Sequence, residues 1–596
     1  MAGLRSLSAF YRRQAGRLPW WAAVALGAVA VVLGIAITFK PFSSLGVLVA
    51  LIAAAFILAG IGELAGARDG AHRWLGALGI VAGIVVAALP GTTIRVVAIV
   101  VGVALVLGGL IAIWSAFRGG LPGDERVIAG VGGLARMVFG VLALTWPDVT
   151  LKVVGLLVGP AIIIYGAGRI ASGLRDRGRP ADPAGNADEH RWPSWLRITG
   201  VAVTLLVALG LMGVSNAVRD SSPSPDAFYE APDDVPSQPG QLLRTEDFTR
   251  AVPAGAHGWR ILYTTTRGDG SPALASAIVV VADDAPAGPR PALAWAHGTT
   301  GFAEKCAPSL LANPFAAGVM PALDQVLERG WVLVATDYVG LGTEGPHPYL
   351  IGDPEGRSVL DAVRAARQMD QVDVGDQTVV WGHSQGGGAA LWTGIIAPRY
   401  APDVPLAGVA ALAPATRLPQ IFDAVKDSPV GRIMGSYVVS AYAGTYDDVS
   451  FDDYIRPAAR VSARETADRC LSGPEALVSV GTALGGESWF SQSPSDGPLG
   501  RRLQENVPNA PIQAPLLVAQ GLADNLVLPA EQRAWVTGRC AAGQSLLYRT
   551  YGGFDHVGVV ADPSSALPSD LLRWTEDRLA GLPQSTGCRT VVTAAP

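Results

Sequence analysis

Seven apolar stretches in the first 214 residues constrain the fold of this chain more than any other feature. Each approaches the ~20 residues that a helix needs to cross the hydrocarbon core of a bilayer. A cleavable signal peptide is an alternative for the first stretch alone, because four arginines precede it. The sequence therefore predicts an α-helical membrane bundle of about seven spans, at residues 20–39, 44–64, 74–90, 93–114, 127–146, 150–171 and 195–214.

The basic residues predict how this bundle is oriented. Short loops rich in Lys and Arg stay in the cytoplasm. Twelve arginines lie in the N-terminal segment 1–19 and in alternate loops, whereas the intervening loops contain only Lys40, Arg95 and Lys152. The N-terminus is therefore predicted to be cytoplasmic. An odd number of spans then places everything after residue 214 on the outer side of the cell membrane.

Six of the predicted helices form an internal repeat. The segments "GIAITFKP" (34–41), "GIVVAALP" (83–90) and "GVLALTWP" (140–147) each carry a Gly seven residues before a Pro, and another Gly follows nineteen residues after each Pro. Because Pro ends a helix and small residues let membrane helices pack closely, we interpret the unit as a helical hairpin. Three such hairpins over residues 20–178 resemble the HdeD-type (DUF308) acid-resistance membrane family.

The sequence changes character beyond the last apolar stretch. Residues 219–240 are rich in Ser, Pro and Asp, which is typical of an extended linker. Over residues 241–596, strand-like apolar runs alternate with helical patterns such as "RSVLDAVRAARQM". This alternation predicts an α/β domain with a mostly parallel sheet. The net charge of −5 and the lack of a basic face predict no nucleic-acid partner.

The segment "GHSQG" (382–386) carries the candidate nucleophile. A strand, "TVVW", runs into this GxSxG pattern and a helix of small residues leaves it, so Ser384 is expected in a sharp turn at the end of a strand. His556 is the only histidine downstream, which makes it the expected base. Asp524 follows the strand "APLLVAQG" and is preferred as the acid over Asp555, which would have to fold back on its neighbour. The resulting order of Ser, acid and His is the one that this type of fold uses.

Backbone amides near the nucleophile are needed to stabilise an oxyanion. The expected donors are Gln385, directly after the nucleophile, and Gly298 or Thr299 in the loop "AWAHGTTG". His297 in the same loop is interpreted as a structural hydrogen-bonding residue. His383 is expected to point away from the nucleophile. The sequence has no metal-ligand spacing, so no metal ion is expected.

All four cysteines lie in the second half of the chain, which predicts two disulfides in an oxidising compartment. Spacing alone leaves three pairings open. The segments "HGTTG", "CAPS" (306–309), "DYVGLGTEGPHPYL" (337–350) and "GHSQGG" resemble the secretory lipase family, α/β-hydrolases of yeasts and actinobacteria. The resemblance covers roughly residues 240–590.

This resemblance implies acyl-ester hydrolysis by a triad of Ser384, Asp524 and His556, without a metal or organic cofactor. It also implies a helical cap over the acyl site at about 417–510, where a plain structural insertion is the alternative. Yeast members carry an acidic side chain in the oxyanion loop, where this chain has "HGTTG". The disulfide pairing that the resemblance implies is Cys306 with Cys470 and Cys540 with Cys588.

The sequence thus predicts a membrane-anchored extracytoplasmic serine hydrolase, a lipase or carboxylesterase, with an acyl-ester or lipid substrate and the lipid bilayer as partners. Two alternatives stay open. The same triad could transfer the acyl group to an alcohol of the cell envelope. The hairpin array could instead be the functional unit, as an acid-stress or scaffolding protein to which the outer domain is accessory. The sequence predicts neither a chain-length preference nor an oligomeric state.

Overall fold

The computed structural model describes residues 20–39, 90–118, 122–146, 193–220 and 223–595, the last range without 286 and 485–487, together with parts of 57–84 and 160–177. Apart from two short segments, the chain divides near residue 219 into two compact units, which are described separately. The predicted segment 1–19 and most of the spans 44–64, 74–90 and 150–171 lie outside the described residues.

Four long helices are described in the N-terminal unit: α1 (Trp20–Phe39), α2 (Pro90–Phe117), α3 (Gly123–Thr145) and α4 (Ser194–Asp220). They cover the predicted spans 20–39, 93–114, 127–146 and 195–214. By length and composition, two helical segments of the described residues are long and apolar enough to cross a membrane, Gly123–Thr145 and Arg197–Val218. The seven-span bundle therefore stays a prediction.

Glycines of the internal repeat lie where helices of this unit approach most closely. A Cβ on Gly109 of α2 would lie 2.5 Å from the carbonyl oxygen of Gly133 on α3. A Cβ on Gly166 would lie 2.6 Å from the carbonyl oxygen of Gly27 on α1. Gly140 packs against α2 in the same way. A side chain at these positions would force the helices apart, which is the packing that small residues permit in membrane helices.

The C-terminal unit is built on one ten-stranded sheet with the order β1-β2-β3-β5-β4-β6-β7-β8-β9-β10. The pairs β1–β2, β2–β3 and β3–β5 are antiparallel, and the pairs from β5 to β10 are parallel. The predicted α/β domain with a mostly parallel sheet is confirmed. The strands are β1 (Leu242–Asp247), β2 (Ala256–Thr266), β3 (Pro272–Ala282), β4 (Arg290–Ala296), β5 (Val332–Thr336), β6 (Val374–His383), β7 (Leu406–Leu412), β8 (Leu516–Gly521), β9 (Leu546–Tyr551) and β10 (Cys588–Thr593).

Both faces of the central strands are buried. Along β4, Ala292 and Ala294 belong to one core cluster, whereas Leu293 and Trp295 belong to another on the opposite face. This alternation follows from the period of two in a pleated strand, and helices cover the two faces of such a sheet. Outside the segment between β7 and β8, the helices of this unit are α5 (Pro314–Ala317), α6 (Leu323–Glu328), α7 (Gly352–Ala366), α8 (Gln385–Tyr400), α15 (Pro529–Ala541), α16 (Gly558–Ala561) and α17 (Leu567–Leu579).

Among the described residues between β7 and β8, six α-helices lie in the region where the sequence predicts a cap. The segment has little strand structure, with one isolated bridge between Ile455 and Phe490. Its helices are α9 (Leu418–Val425), α10 (Pro429–Thr445), α11 (Phe451–Tyr454), α12 (Arg460–Ala467), α13 (Gly473–Ala483) and α14 (Gly497–Glu505).

Two further features fix the edges of this domain: a buried aromatic pair and two disulfides. Phe228 and Tyr229, within the predicted linker 219–240, are buried in the core cluster, so this part of the segment belongs to the domain. The structure pairs Cys306 with Cys470 and Cys540 with Cys588, the same pairing that the resemblance implies. The first disulfide joins the loop after β4 to the predicted cap, and the second joins α15 to β10.

Candidate active site

Ser384 occupies the turn between the end of β6 and the start of α8. Its backbone has φ 59° and ψ −116°, a left-handed conformation that is rare for a residue with a side chain. The N–H of Ser384 donates to the carbonyl of Leu412 on β7 at 2.9 Å. Backbone strain of this kind persists when the surroundings fix it, and it presents the hydroxyl at the carboxyl end of the sheet.

The two glycines of the GxSxG pattern make this turn sterically possible. A Cβ on Gly382 would lie 2.0 Å from the carbonyl oxygen of Gly386, and a Cβ on Gly386 would lie 1.9 Å from the carbonyl oxygen of Ala296. Both obstacles are backbone atoms, which cannot rotate away as a side chain can. The glycines are therefore required by the close approach of β4, β6 and α8.

The structure brings Ser384, His556 and Asp524 into one hydrogen-bonded chain. The Oγ of Ser384 lies 2.8 Å from Nε2 of His556, and Nδ1 of His556 lies 2.7 Å from Oδ2 of Asp524. Because the carboxylate can only accept, Nδ1 carries the hydrogen and Nε2 has a free lone pair. That lone pair can accept the proton of the Ser384 hydroxyl, which is the geometry that a serine nucleophile needs.

Asp524 is held by four donors. Its Oδ1 accepts from the backbone amides of Leu526 and Val527, each at 2.9 Å, and its Oδ2 accepts from Nε2 of Gln520 at 2.9 Å in addition to His556. Burial raises the pKa of this carboxyl, but the interaction with His556 and the two amides outweigh burial and lower the pKa below its usual value. Gln520 was not predicted from the sequence; its signal is a single polar residue inside the apolar strand β8.

The two rejected candidates contact other groups. The Oδ1 of Asp555 accepts from the amide of Gly558 at 2.7 Å, within its own loop. The ring nitrogens of His297 lie 2.7 Å from the carbonyl of Gly298 and 3.3 Å from that of Asp337. Burial lowers the pKa of His297 to about 4, so its ring is neutral. Both residues therefore have structural roles in this arrangement.

His383 contacts the main chain of the candidate base. Its Nε2 donates to the carbonyl oxygen of His556 at 2.9 Å, and the two rings lie 4.8 Å apart. Burial lowers the pKa of His383 to about 3, so the ring is neutral and has one N–H for this bond. His383 thus fixes the loop that carries His556, a contact that the sequence did not predict.

The predicted oxyanion donors differ in availability. The amide of Gln385 begins α8 and so has no partner within the helix. The amide of Gly298 donates to the carbonyl of Gly318 at 3.2 Å, whereas no acceptor is found for the amide of Thr299 among the described residues. Of the two loop positions, Thr299 therefore has the free donor. A Cβ on Gly298 would lie 3.2 Å from Nδ1 of His383, so this glycine permits the close approach of the loop.

A cavity of about 490 Å³ opens at Ser384 and His556. Gly298, Thr299 and Gln385 line the same cavity. The rest of its wall is mainly apolar and comes largely from α9 and α10, with Leu418, Ile421, Phe422, Val425 and Met434. An apolar pocket with a few polar groups at one end suits an ester whose acyl part is apolar. Among the described residues, no group of three or more His, Cys, Asp or Glu side chains could hold a metal ion.

In comparison with known proteins, each unit matches a family model. Residues 319–587 match the model of the secretory lipases. We call the C-terminal unit, which contains this match, the secretory lipase domain. Residues 25–77, 74–135 and 131–213 match the DUF308 model, a short repeat of unknown function. Both resemblances predicted from the sequence are confirmed, as is the enzyme class, an ester hydrolase.

The relatives of the secretory lipase domain are distant but extensive. The secreted triacylglycerol lipase LIP7 of Malassezia globosa is 24% identical over 398 residues, which cover 62% of this chain and 82% of the relative. Lipase 10 of Candida albicans is 22% identical over 432 residues, covering 65% and 88%. The crystal structure of Candida antarctica lipase A is 18% identical with a TM-score of 0.52, covering 63% of this chain and 90% of that one. At this identity, the structural likeness shows the fold alone.

The first prediction concerns the glycine after the nucleophile in the secretory lipase domain. Gly386→Ala places a methyl group 1.9 Å from the carbonyl oxygen of Ala296, so β4 and α8 must separate. We expect a loss of stability of about 1–3 kcal/mol or more, measured as a lower midpoint of thermal unfolding. Gly538→Ala in α15 is the matched control, because nothing lies within 4 Å of its added Cβ, and it should unfold at the same temperature or higher. Equal behaviour of the two variants would contradict the steric argument.

The second prediction concerns the acid. Asp524→Asn keeps the shape of the side chain but removes the charge that fixes the His556 tautomer, so kcat for ester hydrolysis should fall by a factor on the order of ten thousand while the protein stays folded. Asp555→Asn is the control and should retain full activity, because Asp555 contacts only its own loop in the described contacts. If Asp524→Asn keeps full activity, another residue must be the acid.

Proposed function

We propose that this chain is a membrane-anchored serine hydrolase that cleaves carboxylic esters of acyl lipids through an acyl-enzyme. The observation that carries the proposal is the chain of hydrogen bonds from Ser384 through His556 to Asp524, which ends at an apolar cavity. In this proposal Ser384 is the nucleophile, His556 is the general base and acid, and Asp524 orients the imidazole.

In the first half of the reaction, the Oγ of Ser384 attacks the ester carbonyl while Nε2 of His556 takes the hydroxyl proton. The carbonyl oxygen becomes an oxyanion, and the amides of Gln385 and Thr299 donate to it. Asp524 stabilises the imidazolium that forms, without taking its proton. Collapse of the tetrahedral intermediate breaks the ester bond, and His556 gives its proton to the leaving alcohol.

In the second half, water attacks the acyl-enzyme with His556 again as the base. The second tetrahedral intermediate collapses and releases the carboxylic acid, and the proton returns from His556 to Ser384. No step needs a metal ion or an organic cofactor, because every charge that develops meets a side chain or an amide of the chain itself. The acyl group occupies the cavity lined by α9 and α10.

Two observations support an acyl lipid as the substrate. The apolar wall of the cavity favours an acyl chain, since each buried CH₂ contributes about 0.8 kcal/mol. Several relatives, including that of Malassezia globosa, are named triacylglycerol lipases. The segment from α9 to α14 acts in this proposal as the cap over the acyl site.

The membrane half serves in this proposal as an anchor that keeps the secretory lipase domain on the outer face of the cell membrane. The alternation of arginine-rich loops supports a cytoplasmic N-terminus. Two disulfides in the secretory lipase domain support an oxidising compartment. The relatives named as secreted lipases are consistent with both.

The third prediction tests the chemistry. The full-length protein in detergent should hydrolyse p-nitrophenyl esters, with kcat/KM rising from acetate toward longer chains until the cavity is filled. Ser384→Ala should lower kcat by at least about a thousandfold, because the nucleophile is lost. Ser564→Ala, at an exposed serine in another loop, should be unchanged. Activity that survives in Ser384→Ala would assign the nucleophile elsewhere.

The fourth prediction tests the topology in intact cells. All four cysteines of the chain are in disulfides, so a single introduced thiol can be labelled selectively. Ser564→Cys in the secretory lipase domain should react with a membrane-impermeant maleimide without lysis. Arg12→Cys in the N-terminal segment should react only after lysis. The reverse pattern, or labelling of both only after lysis, would contradict an outer catalytic domain.

A further inference from the structure

A buried polar cluster lies directly behind the predicted oxyanion donor, and the mechanism above uses none of its side chains. Glu355 lies in the first turn of α7, His347 lies in the loop before it, and Gln385 begins α8. Each of these three side chains belongs to a residue that is 1% exposed. A polar cluster shielded from water in this way is costly unless its members satisfy one another.

The side chain of Gln385 is fixed at two points. Its Nε2 donates to Oε1 of Glu355 at 2.7 Å and lies 3.0 Å from Nε2 of His347. Since Nδ1 of His347 lies 3.1 Å from the carbonyl of Val339, that nitrogen carries the hydrogen and Nε2 accepts. Both amide hydrogens of Gln385 are therefore used, one on each partner.

Glu355 also connects Gln385 to the wall of the cavity. Its Oε1 accepts from the backbone amide of Leu350 at 3.1 Å, and Leu350 lines the cavity beside Tyr349. The carbonyl of Leu350 in turn accepts from the hydroxyl of Tyr442 on α10, at 2.9 Å. One carboxyl group thus contacts both the residue that supplies the oxyanion amide and a residue of the acyl cavity.

The surroundings of Glu355 favour its neutral form. No Lys or Arg pairs with it among the described residues, and the nearest basic nitrogen, Nε2 of His347, lies 3.9 Å away. Burial lowers the pKa of His347 to about 3, so this ring is uncharged. Burial raises the pKa of Glu355 to about 8, against the opposing effect of hydrogen bonds from Gln385 and Leu350. Glu355 is therefore protonated at neutral pH.

Among the described residues, three tyrosines also face Glu355: Tyr338 after β5, Tyr349 in the loop before α7, and Tyr442 on α10. Burial raises the pKa of each well above its ordinary value, and a charge on Glu355 would raise it further. Glu355 is therefore the group of this cluster that titrates nearest to neutrality. The buried Oε1 of Gln385 has no donor among the described residues.

We propose that Glu355 is a positioning residue for the reaction at Ser384: through the side chain of Gln385, it fixes the Gln385 backbone amide where the oxyanion forms. The inference rests on the proposed serine-hydrolase function. Glu355 acts as a neutral acid. An ionised carboxylate would be separated from the oxyanion only by the Gln385 side chain. Its negative charge would oppose the negative charge that develops in the transition state.

The same group makes stability depend on pH, with a sign that follows from the direction of the shift. Burial moves the pKa of Glu355 from the ordinary 4.5 to about 8 in the folded protein. Between these pH values, the folded state therefore keeps a proton that the unfolded chain has lost. The contribution of Glu355 to stability is fully present below pH 4.5 and is lost as the pH rises toward about 8.

The fifth prediction compares two substitutions of Glu355 by kinetics of the full-length protein from about pH 6 to 10. Glu355→Ala should lower kcat about tenfold to a hundredfold at pH 7 with KM unchanged, because an oxyanion donor acts only in the transition state. Glu355→Gln keeps an acceptor for Gln385 and Leu350 without a charge. It should stay within about twofold of the wild-type kcat at pH 7, and it should abolish the loss of kcat that the wild type shows as Glu355 ionises.

Asp361→Asn is the matched control, because Asp361 is a second buried carboxyl on α7 that contacts Thr265, Tyr400 and Arg364 rather than Gln385. Its kcat should equal that of the wild type. A double-mutant cycle separates positioning from general damage. If Glu355 acts through Gln385, Glu355→Ala should lower kcat by less than about threefold when Gln385 is already replaced by Ala. If the two substitutions lower kcat independently, so that their factors multiply in the double variant, the proposal is overturned.

The pH dependence of thermal unfolding is a readout that needs no activity. As the pH rises from 4.5 toward about 8, the wild type should lose stability relative to Glu355→Gln. If the wild type has no Ser384-dependent activity, the proposed function fails, while this measurement still tests the buried acid. If the wild type is active and Glu355→Ala keeps its kcat, the positioning role is overturned. If Glu355→Ala does not fold, an unchanged alkaline loss of kcat in Glu355→Gln overturns it instead.

Discussion

The catalytic end of this molecule depends on one backbone contact, between Gly386 at the start of α8 and the carbonyl of Ala296 at the end of β4. The contact brings the carboxyl ends of two neighbouring parallel strands to the same point, so the proposed nucleophile after one strand lies beside the proposed oxyanion loop after the other. In the turn between β6 and α8, Ser384 has a positive φ of 59°. The hydrogen bonds of His556 and the cluster around Glu355 are built around that fixed turn, one on each side of the nucleophile.

Much of the fold could be predicted from the sequence, because the buried strands β3 to β9 read as apolar runs bounded by turn residues. Strands β1, β2 and β10 do not stand out in this way. The runs of β1 and β2, "LLRTED" and "HGWRILYTTT", are rich in polar residues, and β10 is largely exposed at the edge of the sheet. Edge and near-edge strands are set by pairing with a neighbour, which the local sequence does not reveal. The segment around Phe228 and Tyr229 was assigned to a linker for the same reason: its aromatic residues are buried only by contacts with distant strands.

The candidate site was predictable where chain order and residue counts limit the choice. A single histidine follows the nucleophile, and one Asp follows a suitable strand, so Ser384, His556 and Asp524 could be named before their geometry was known. The supporting residues could not. Glu355 and His347 reach Gln385 across 30 and 38 residues of sequence, and no local pattern distinguishes them from surface residues of a helix and a loop. The choice between Gly298 and Thr299 likewise depends on the carbonyl of Gly318, which comes from another segment.

The central claim is that Ser384 is the nucleophile of an acyl-enzyme, and covalent labelling tests it most directly. The full-length protein would be treated with a fluorophosphonate ester, and the modified residue would be located by peptide mass spectrometry. We expect one adduct per chain, on Ser384, and its loss in His556→Ala because the hydroxyl is no longer activated. An adduct on another residue, or undiminished labelling of Ser384 in His556→Ala, would contradict it.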